Sequence, residues 1–345
     1  MSFQLIEGIA MFEFSVIGGK TARDIIARTR QQIVSEVRDT YLTHHAGESV
    51  NPNSYFLRFP DKPDSRIIAL PAYLGGKADV AGIKWISSFP ANITKGFPRA
   101  SAALLLNDYE TGYPFACLEA SQISAARTAA SAVLAAEQLT GGRTARRLTI
   151  VGAGIIARNI LEFFTAQEWS VDELVIHDRL PEYSKAFAEY ATSSLGHRTT
   201  TEDDLTAALT GSDLVVLATT AGEPYITDPA TFAAGQVVLN VSLRDIGPEI
   251  ILGAQNILDD VDHCMTANTS PHLAEQKYGH RDFIDGTLAD VIRGDVRPVE
   301  DRPVIFSPFG LGVLDLAVGM HVYRTARESG EAVDVPDFFG ETRRW

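Results

Sequence analysis

Cysteine is almost absent from this 345-residue chain: Cys117 and Cys264 stand far apart, and neither belongs to a metal-ligand or disulfide spacing. That excludes a disulfide framework and a cysteine-based metal centre. It fits a reducing compartment, so a cytoplasmic protein without a metal is expected. Apolar runs are short, none reaching the ~20 residues that cross a bilayer. Positive charge is scarce too, 30 Lys and Arg against 44 Asp and Glu for a net charge of −14. Nucleic acid and anionic membrane surfaces are therefore poor partners. Residues 1–19 carry no basic flank and include Glu7 and Glu13, unlike a secretory signal. There is no internal repeat and no low-complexity tract. A 45% hydrophobic and 21% charged composition is that of a folded globular protein, one large domain or two ordinary ones. An acidic total still permits an anionic small substrate, because a pocket needs only two or three local cations.

Residues 11–17 alternate like a strand, and Gly18-Gly19 breaks them. Thr21 reads as the N-cap of a helix running to about residue 42, with Ile25, Ile26, Ile33 and Val37 on its apolar face. Strand patterns follow at 54–60, 66–73, 80–88, 101–108 and 113–120, the last two joined by Tyr109-Glu110-Thr111-Gly112. They predict a mostly antiparallel sheet. An alanine-rich helix over 121–139 ends at Gly141-Gly142. Beyond Arg146 strands and helices alternate, as in a doubly wound parallel sheet. Residues 311–328 read as an amphipathic helix before a polar tail.

Gly152-Ala153-Gly154-Ile155-Ile156-Ala157 has the form GxGxxA and lies between the apolar strand Leu148–Val151 and a helix. In that setting Gly152 permits the tight turn and Gly154 lets the backbone approach a pyrophosphate. Ala157 allows close helix–strand packing, and the helix N-terminus favours the phosphates. Asp178 ends the next strand, about 20 residues on, where an acid accepts hydrogen bonds from the adenosine ribose. An acid there repels a 2′-phosphate, so NAD is the expected cofactor, although the adjacent Arg179 leaves room for NADP. Thr219 and Thr220 end the next long apolar strand. They either touch the nicotinamide half or simply close the strand.

Lys84 lies between Ile83 and Trp85 in a strand and so points away from both. Arg127 sits mid-helix with Ile123, Ser124, Ala130 and Ser131 around it and no carboxylate on its own helix to pair with. A ligand carboxylate held through two hydrogen bonds is the natural partner.

Gly82-Ile83-Lys84-Trp85, Phe89-Pro90-Ala91-Asn92, Lys95-Gly96-Phe97-Pro98, Glu110-Thr111-Gly112 and Ala126-Arg127-Thr128-Ala129-Ala130 occur in order. With residues 151–158, 240–245 and 309–319 they make a set that resembles the ornithine cyclodeaminase/mu-crystallin family over nearly the whole chain. The resemblance implies an α/β fold: a Rossmann NAD-binding domain over 126–315, and an α+β substrate and dimerisation domain built from 1–125 and 316–345. It also implies a homodimer acting on a small amino-acid substrate. Lys84 and Arg127 would hold the substrate α-carboxylate, with help from Arg58. Arg99 and Arg244 are further candidates for carboxylates, and both Arg58 and Arg99 are equally readable as surface cations. Ser242, Ile155 and Ile156 would join the cofactor residues. Asp245, with Lys84, would be catalytic, handling the amine and the attacking water, unless it merely caps the Gly247-Pro248 turn.

One departure matters. Cyclodeaminases of the family follow this aspartate with Pro-Gly-Lys and an acid, whereas this chain has Ile246-Gly247-Pro248-Glu249. Ser242-Leu243-Arg244-Asp245, Ile86-Ser87-Ser88-Phe89-Pro90, Pro98-Arg99-Ala100-Ser101 and Thr269-Ser270-Pro271-His272 look more like one branch, the N-[(2S)-2-amino-2-carboxyethyl]-L-glutamate dehydrogenases of siderophore and peptide-antibiotic pathways. That branch implies NAD-dependent cleavage to L-2,3-diaminopropionate and 2-oxoglutarate. An ornithine cyclodeaminase, a ketimine or alanine dehydrogenase, and a non-enzymatic mu-crystallin-like binding protein are the alternatives. His272 is readable as a proton carrier or as a structural residue at a helix start.

Overall fold

A computed structural model describes residues 5–6, 9–10 and 13–341. It divides into two compact units, one comprising Met1–Arg127 and Gly312–Trp345, the other Thr128–Leu311. The cut falls inside the helix Ser121–Thr140.

The first unit is built on a mixed sheet. Its strands run in the order Val333–Asp334, Ser15–Ile17, Pro114–Glu119, Ala100–Asp108, Val80–Ser88, Lys62–Leu74 and Ser49–Val50, with Tyr55–Phe59 also paired to Lys62–Leu74. All pairs are antiparallel except Ser15–Ile17 with Pro114–Glu119. Register decides which side chains share a face. Leu70, Lys84, Leu104 and Leu118 lie opposite one another in successive strands, so Lys84 stands in the row that buries Leu104 and Leu118. Trp85 belongs to the other face and is 45% exposed.

The helix Gly312–Glu328 covers the lysine face, and glycine lets it come close. A methyl group at Gly82 would stand 2.8 Å from Leu316 Cδ2, and one at Gly319 would overlap Leu104. This helix departs from the amphipathic reading, because every residue from Gly312 to Met320 is buried. Sheet on one side and the helices Gly19–Arg28 and Arg30–His45 on the other leave it no solvent face there. Those two helices replace the single one expected over 21–42. Thr29 leaves the helical region (φ −128°), its hydroxyl donating to Ile25 O at 2.8 Å and meeting His321 Nε2 at 2.9 Å. Thr21 lies inside the first helix, which Gly18 precedes without a side-chain cap. Ile25, Ile26, Ile33 and Val37 are buried as expected. Met11 and Phe12 of the strand expected at 11–17, and the last four residues of the tail, lie outside the described residues.

The second unit holds a parallel sheet. Its strand order is Thr199–Thr201, Ser170–His177, Thr144–Val151, Leu214–Leu217, Val237–Asn240, Val304–Ser307, Gln255–Leu258 and Ile284–Thr287. Starting at Thr144–Val151 the chain winds outward to one edge, then returns and winds to the other, as in a doubly wound fold. Three of these strands, Thr199–Thr201, Ile284–Thr287 and the interior Val304–Ser307, were not expected from the sequence pattern.

Candidate active site

In the second unit the glycine turn has the geometry its sequence implies. Gly152 has φ +98°, and a Cβ there would sit 2.6 Å from Ala218 O. Only glycine accommodates both. Gly154 has no neighbour within 4 Å of where its Cβ would be. It precedes the helix Ile155–Ala166, whose first turn has no side-chain cap. Ala157 is fully buried, while Ile155 is exposed and Ile156 intermediate. The Asp178 carboxylate accepts from Ala153 N at 2.8 Å and from Leu180 N at 2.9 Å. The acid is thereby locked against the turn. Arg179 beside it is exposed. Open space at Gly154, a helix start without a side-chain cap and a fixed acid at the neighbouring strand end are the features that a dinucleotide's pyrophosphate and ribose require. These residues fit such a cofactor.

Asp245 lies in the loop after Val237–Asn240 and is completely buried. Thr219 Oγ1 lies 2.8 Å from each carboxylate oxygen, and Tyr225 OH donates to Oδ2 at 3.0 Å. Burial raises its pKa, opposed by the hydroxyls of Ser242, Thr219 and Tyr225 and by the charge of Arg244. The balance lies toward the protonated form relative to an exposed carboxylate. The Asp245 carboxylate is engaged by Thr219 and Tyr225, while the Gly247 N–H that a cap would take donates to Ile226 O at 2.8 Å. Thr219, expected near a cofactor, thus spends its hydroxyl on Asp245, and Thr220 is exposed. Tyr225 carried no periodic or motif signal and was missed. Arg244 Nη2 donates to Ala267 O at 3.1 Å. His272 lies in the first turn of Ser270–Tyr278, with Nδ1 accepting from Asn268 N at 3.1 Å. That is a structural arrangement.

In the first unit Lys84 and Arg127 do come together, on a residue the sequence reading overlooked. Lys84 Nζ lies 2.6 Å from Asp315 Oδ2 and donates to Ser124 Oγ at 3.2 Å, while Arg127 Nε lies 3.3 Å from Asp315 Oδ1. The one carboxylate on Arg127's own helix, Glu137, lies ten positions on and pairs with Arg143, so the fold brings Arg127 an acid from 188 residues away. A signal was present: Asp315 interrupts Val313-Leu314 and Leu316-Ala317-Val318. A charge at the centre of an apolar helix demands a partner. Burial pulls the Lys84 pKa down to about 8, with Asp315 holding it up and Arg127 pushing it further down. Two cations against one buried carboxylate leave an excess positive charge. Arg127 meets Asp315 through Nε.

The other expected cations are not part of this cluster. Arg58 shares the lysine face, in register with Arg66 and Ser88, but that row is four residues from Lys84, or ~13 Å along the strands. Its guanidinium lies 5.2 Å from the Phe56 ring centroid. Arg99 is intermediate in exposure, its carbonyl accepting from Phe89 N at 2.8 Å.

One unit holds a doubly wound sheet with an open glycine turn and the other a buried lysine–arginine–aspartate cluster, which together define a Rossmann-type α/β protein. Comparison with known proteins narrows this. The chain belongs to the ornithine cyclodeaminase/mu-crystallin family, whose model matches residues 21–330. It is 28% identical to N-((2S)-2-amino-2-carboxyethyl)-L-glutamate dehydrogenase of Staphylococcus aureus, covering 86% of this chain and 91% of the relative. It is 26% identical to alanine dehydrogenase of Archaeoglobus fulgidus, covering 86% and 90%. The fold is also that of Thermococcus litoralis Delta(1)-pyrroline-2-carboxylate reductase, solved with NADH and L-proline. That match has a TM-score of 0.85 at 23% identity and covers 93% of this chain and all of the other.

Proposed function

We propose that the protein is an NAD-dependent oxidoreductase that cleaves N-[(2S)-2-amino-2-carboxyethyl]-L-glutamate to L-2,3-diaminopropionate and 2-oxoglutarate. The observation that carries this reading is the net positive, buried Lys84–Asp315–Arg127 cluster, a ready anchor for an amino-acid carboxylate. The 28% likeness to an enzyme of that name supports the substrate choice. So does the loop Asp245-Ile246-Gly247-Pro248-Glu249, which lacks the cyclodeaminase Pro-Gly-Lys segment. Gly152, Gly154 and the helix start at Ile155 would hold the cofactor pyrophosphate, and Asp178 the adenosine ribose. When bound, NAD would supply the hydride acceptor for Cα of the glutamate moiety.

The protein's own groups do the rest. Lys84 and Arg127 fix the substrate carboxylate and so orient the Cα–H bond. As that bond breaks, the nitrogen lone pair forms the C=N bond of a protonated ketimine. Asp245 accepts a proton from the water that adds to the ketimine carbon. The C–N bond then breaks, the nitrogen takes a proton to leave as the primary amine, and the carbon becomes the 2-oxo group. Arg58, Arg99 and Arg244 are candidates for the remaining carboxylates.

We also infer a homodimer. On the sheet face opposite Lys84, Tyr55 and Trp85 share one cross-strand row through Ala69, and Leu57 stands in the next. They are 69%, 45% and 47% exposed, an apolar surface suited to a second copy.

The test is stoichiometry. With the glutamate adduct and NAD, NADH, 2-oxoglutarate and 2,3-diaminopropionate should form one to one to one. Ornithine converted to proline without net NADH, and the adduct untouched, would sink the proposal.

A further inference from the structure

Asp245 is held by neutral donors rather than by a cation. Arg244 from its own loop contributes charge, but its terminal nitrogen is committed to Ala267 O. The groups that close on the carboxylate are hydroxyls: Thr219, just past the end of Leu214–Leu217, and Tyr225 from the segment that follows. The charged group facing Tyr225 from another element is Asp178, at the end of Ser170–His177.

The attachment of Tyr225 is double. Tyr225 N and Ile226 N donate to Asp245 O at 3.1 and 3.0 Å, and the phenol donates to the side chain of the same residue. Nearby, Leu243 sits at φ +76°, an uncommon conformation for leucine, with its carbonyl taken by Ser270 N at 2.7 Å. The Tyr225 side is 41% exposed, so this tyrosine is no core filler. Its oxygen nevertheless turns inward to a buried carboxylate.

We propose that Tyr225 and Thr219 form a hydroxyl clamp that fixes the direction of the Asp245 carboxylate and favours its ionised form, making both positioning residues for proton transfer. This rests on Asp245 being the proton acceptor of the reaction above. A hydrogen bond donated to a carboxylate stabilises the charged form. Each donor removed should therefore move the Asp245 titration to higher pH, and the acid limb of the rate profile with it.

The experiment is carboxyl NMR of the full-length protein labelled with 13C-aspartate, the Asp245 signal being assigned by its loss in D245N. Tyr225→Phe and Thr219→Val should each raise the Asp245 midpoint by about half a unit to one unit. Thr219→Ser, which restores a hydroxyl, should return it to the wild-type value. NAD affinity should stay within about twofold in Tyr225→Phe. The acid limb of NADH formation should follow the NMR midpoint. Unchanged midpoints in both Tyr225→Phe and Thr219→Val would overturn the clamp. The titration needs no substrate, so a protein that leaves the glutamate adduct untouched would refute the functional reading while the clamp is still measured.

Discussion

Asp315→Asn removes the one carboxylate that Lys84 and Arg127 share while keeping shape and volume. The wild-type contacts are 2.6 Å to Lys84 and 3.3 Å to Arg127, with the acid fully buried. Breaking a buried ion pair by deleting one partner costs about 3–5 kcal/mol, because the remaining charge stays desolvated. At roughly 2–4 °C per kcal/mol for a domain of this size, melting should fall by about 10 °C at neutral pH. The variant's Lys84, pressed by burial and by Arg127 without its counter-charge, must titrate below the wild-type value of about 8.

A sign follows from that. Below about 8 the wild-type native state binds a proton that the variant's native state has already lost. The stability deficit should accordingly narrow as pH rises to about 8 and stay constant above it. The same shift should appear in catalysis. If Lys84 binds substrate as the ammonium, wild-type kcat/KM falls above pH 8, and in Asp315→Asn the fall begins at lower pH. Differential scanning fluorimetry across pH 6–10 and a kcat/KM profile read both effects. A variant melting like wild type, with its alkaline limb unmoved, would refute the reasoning.

Arg127→Ala should cost about 2–5 kcal/mol of transition-state stabilisation, upwards of roughly 30-fold in kcat/KM, for loss of a charged contact to substrate. NAD affinity by titration should stay near wild type, and near-normal turnover would return Arg127 to a structural role. Asp178→Ser should narrow the preference for NAD over NADP, and equal binding of both by the wild type would contradict the role given to Asp178. Gly152→Ala should weaken NAD binding at least about tenfold, since alanine at φ +98° carries strain of about 1–2 kcal/mol besides overlapping the Ala218 carbonyl. Wild-type affinity in that variant would mean the turn is not needed in this form.

Much of the fold was legible because its patterns are local. The strand Val80–Ser88 was read to its exact ends, and the alternation that turned Lys84 away from Trp85 was visible in three consecutive residues. The glycine turn declared itself through adjacent residues whose constraints are steric. Long-range partnership was not legible. Asp315 meets Lys84 across 231 positions, and no local period connects them. Thr219 was placed correctly at a strand end, but the direction of its hydroxyl depends on a loop 26 residues on. The strand Val304–Ser307 escaped notice, although it is as long as Gln255–Leu258 and lies in the interior of the parallel sheet. Thr29 shows the reverse case, a helical pattern continuous in sequence that a side-chain hydrogen bond to Ile25 O interrupts.

The central claim, that hydride passes from Cα of a carboxylate-anchored amine to NAD, has one direct measurement. The glutamate adduct, deuterated at Cα of its glutamate moiety, is incubated with the enzyme and NAD, and the nicotinamide product is isolated for mass and proton spectra. The account predicts one deuterium at nicotinamide C4 for each 2-oxoglutarate released, accumulating with time. Cleavage with the deuterium released to water, or no NADH formed while ornithine is consumed, would contradict it.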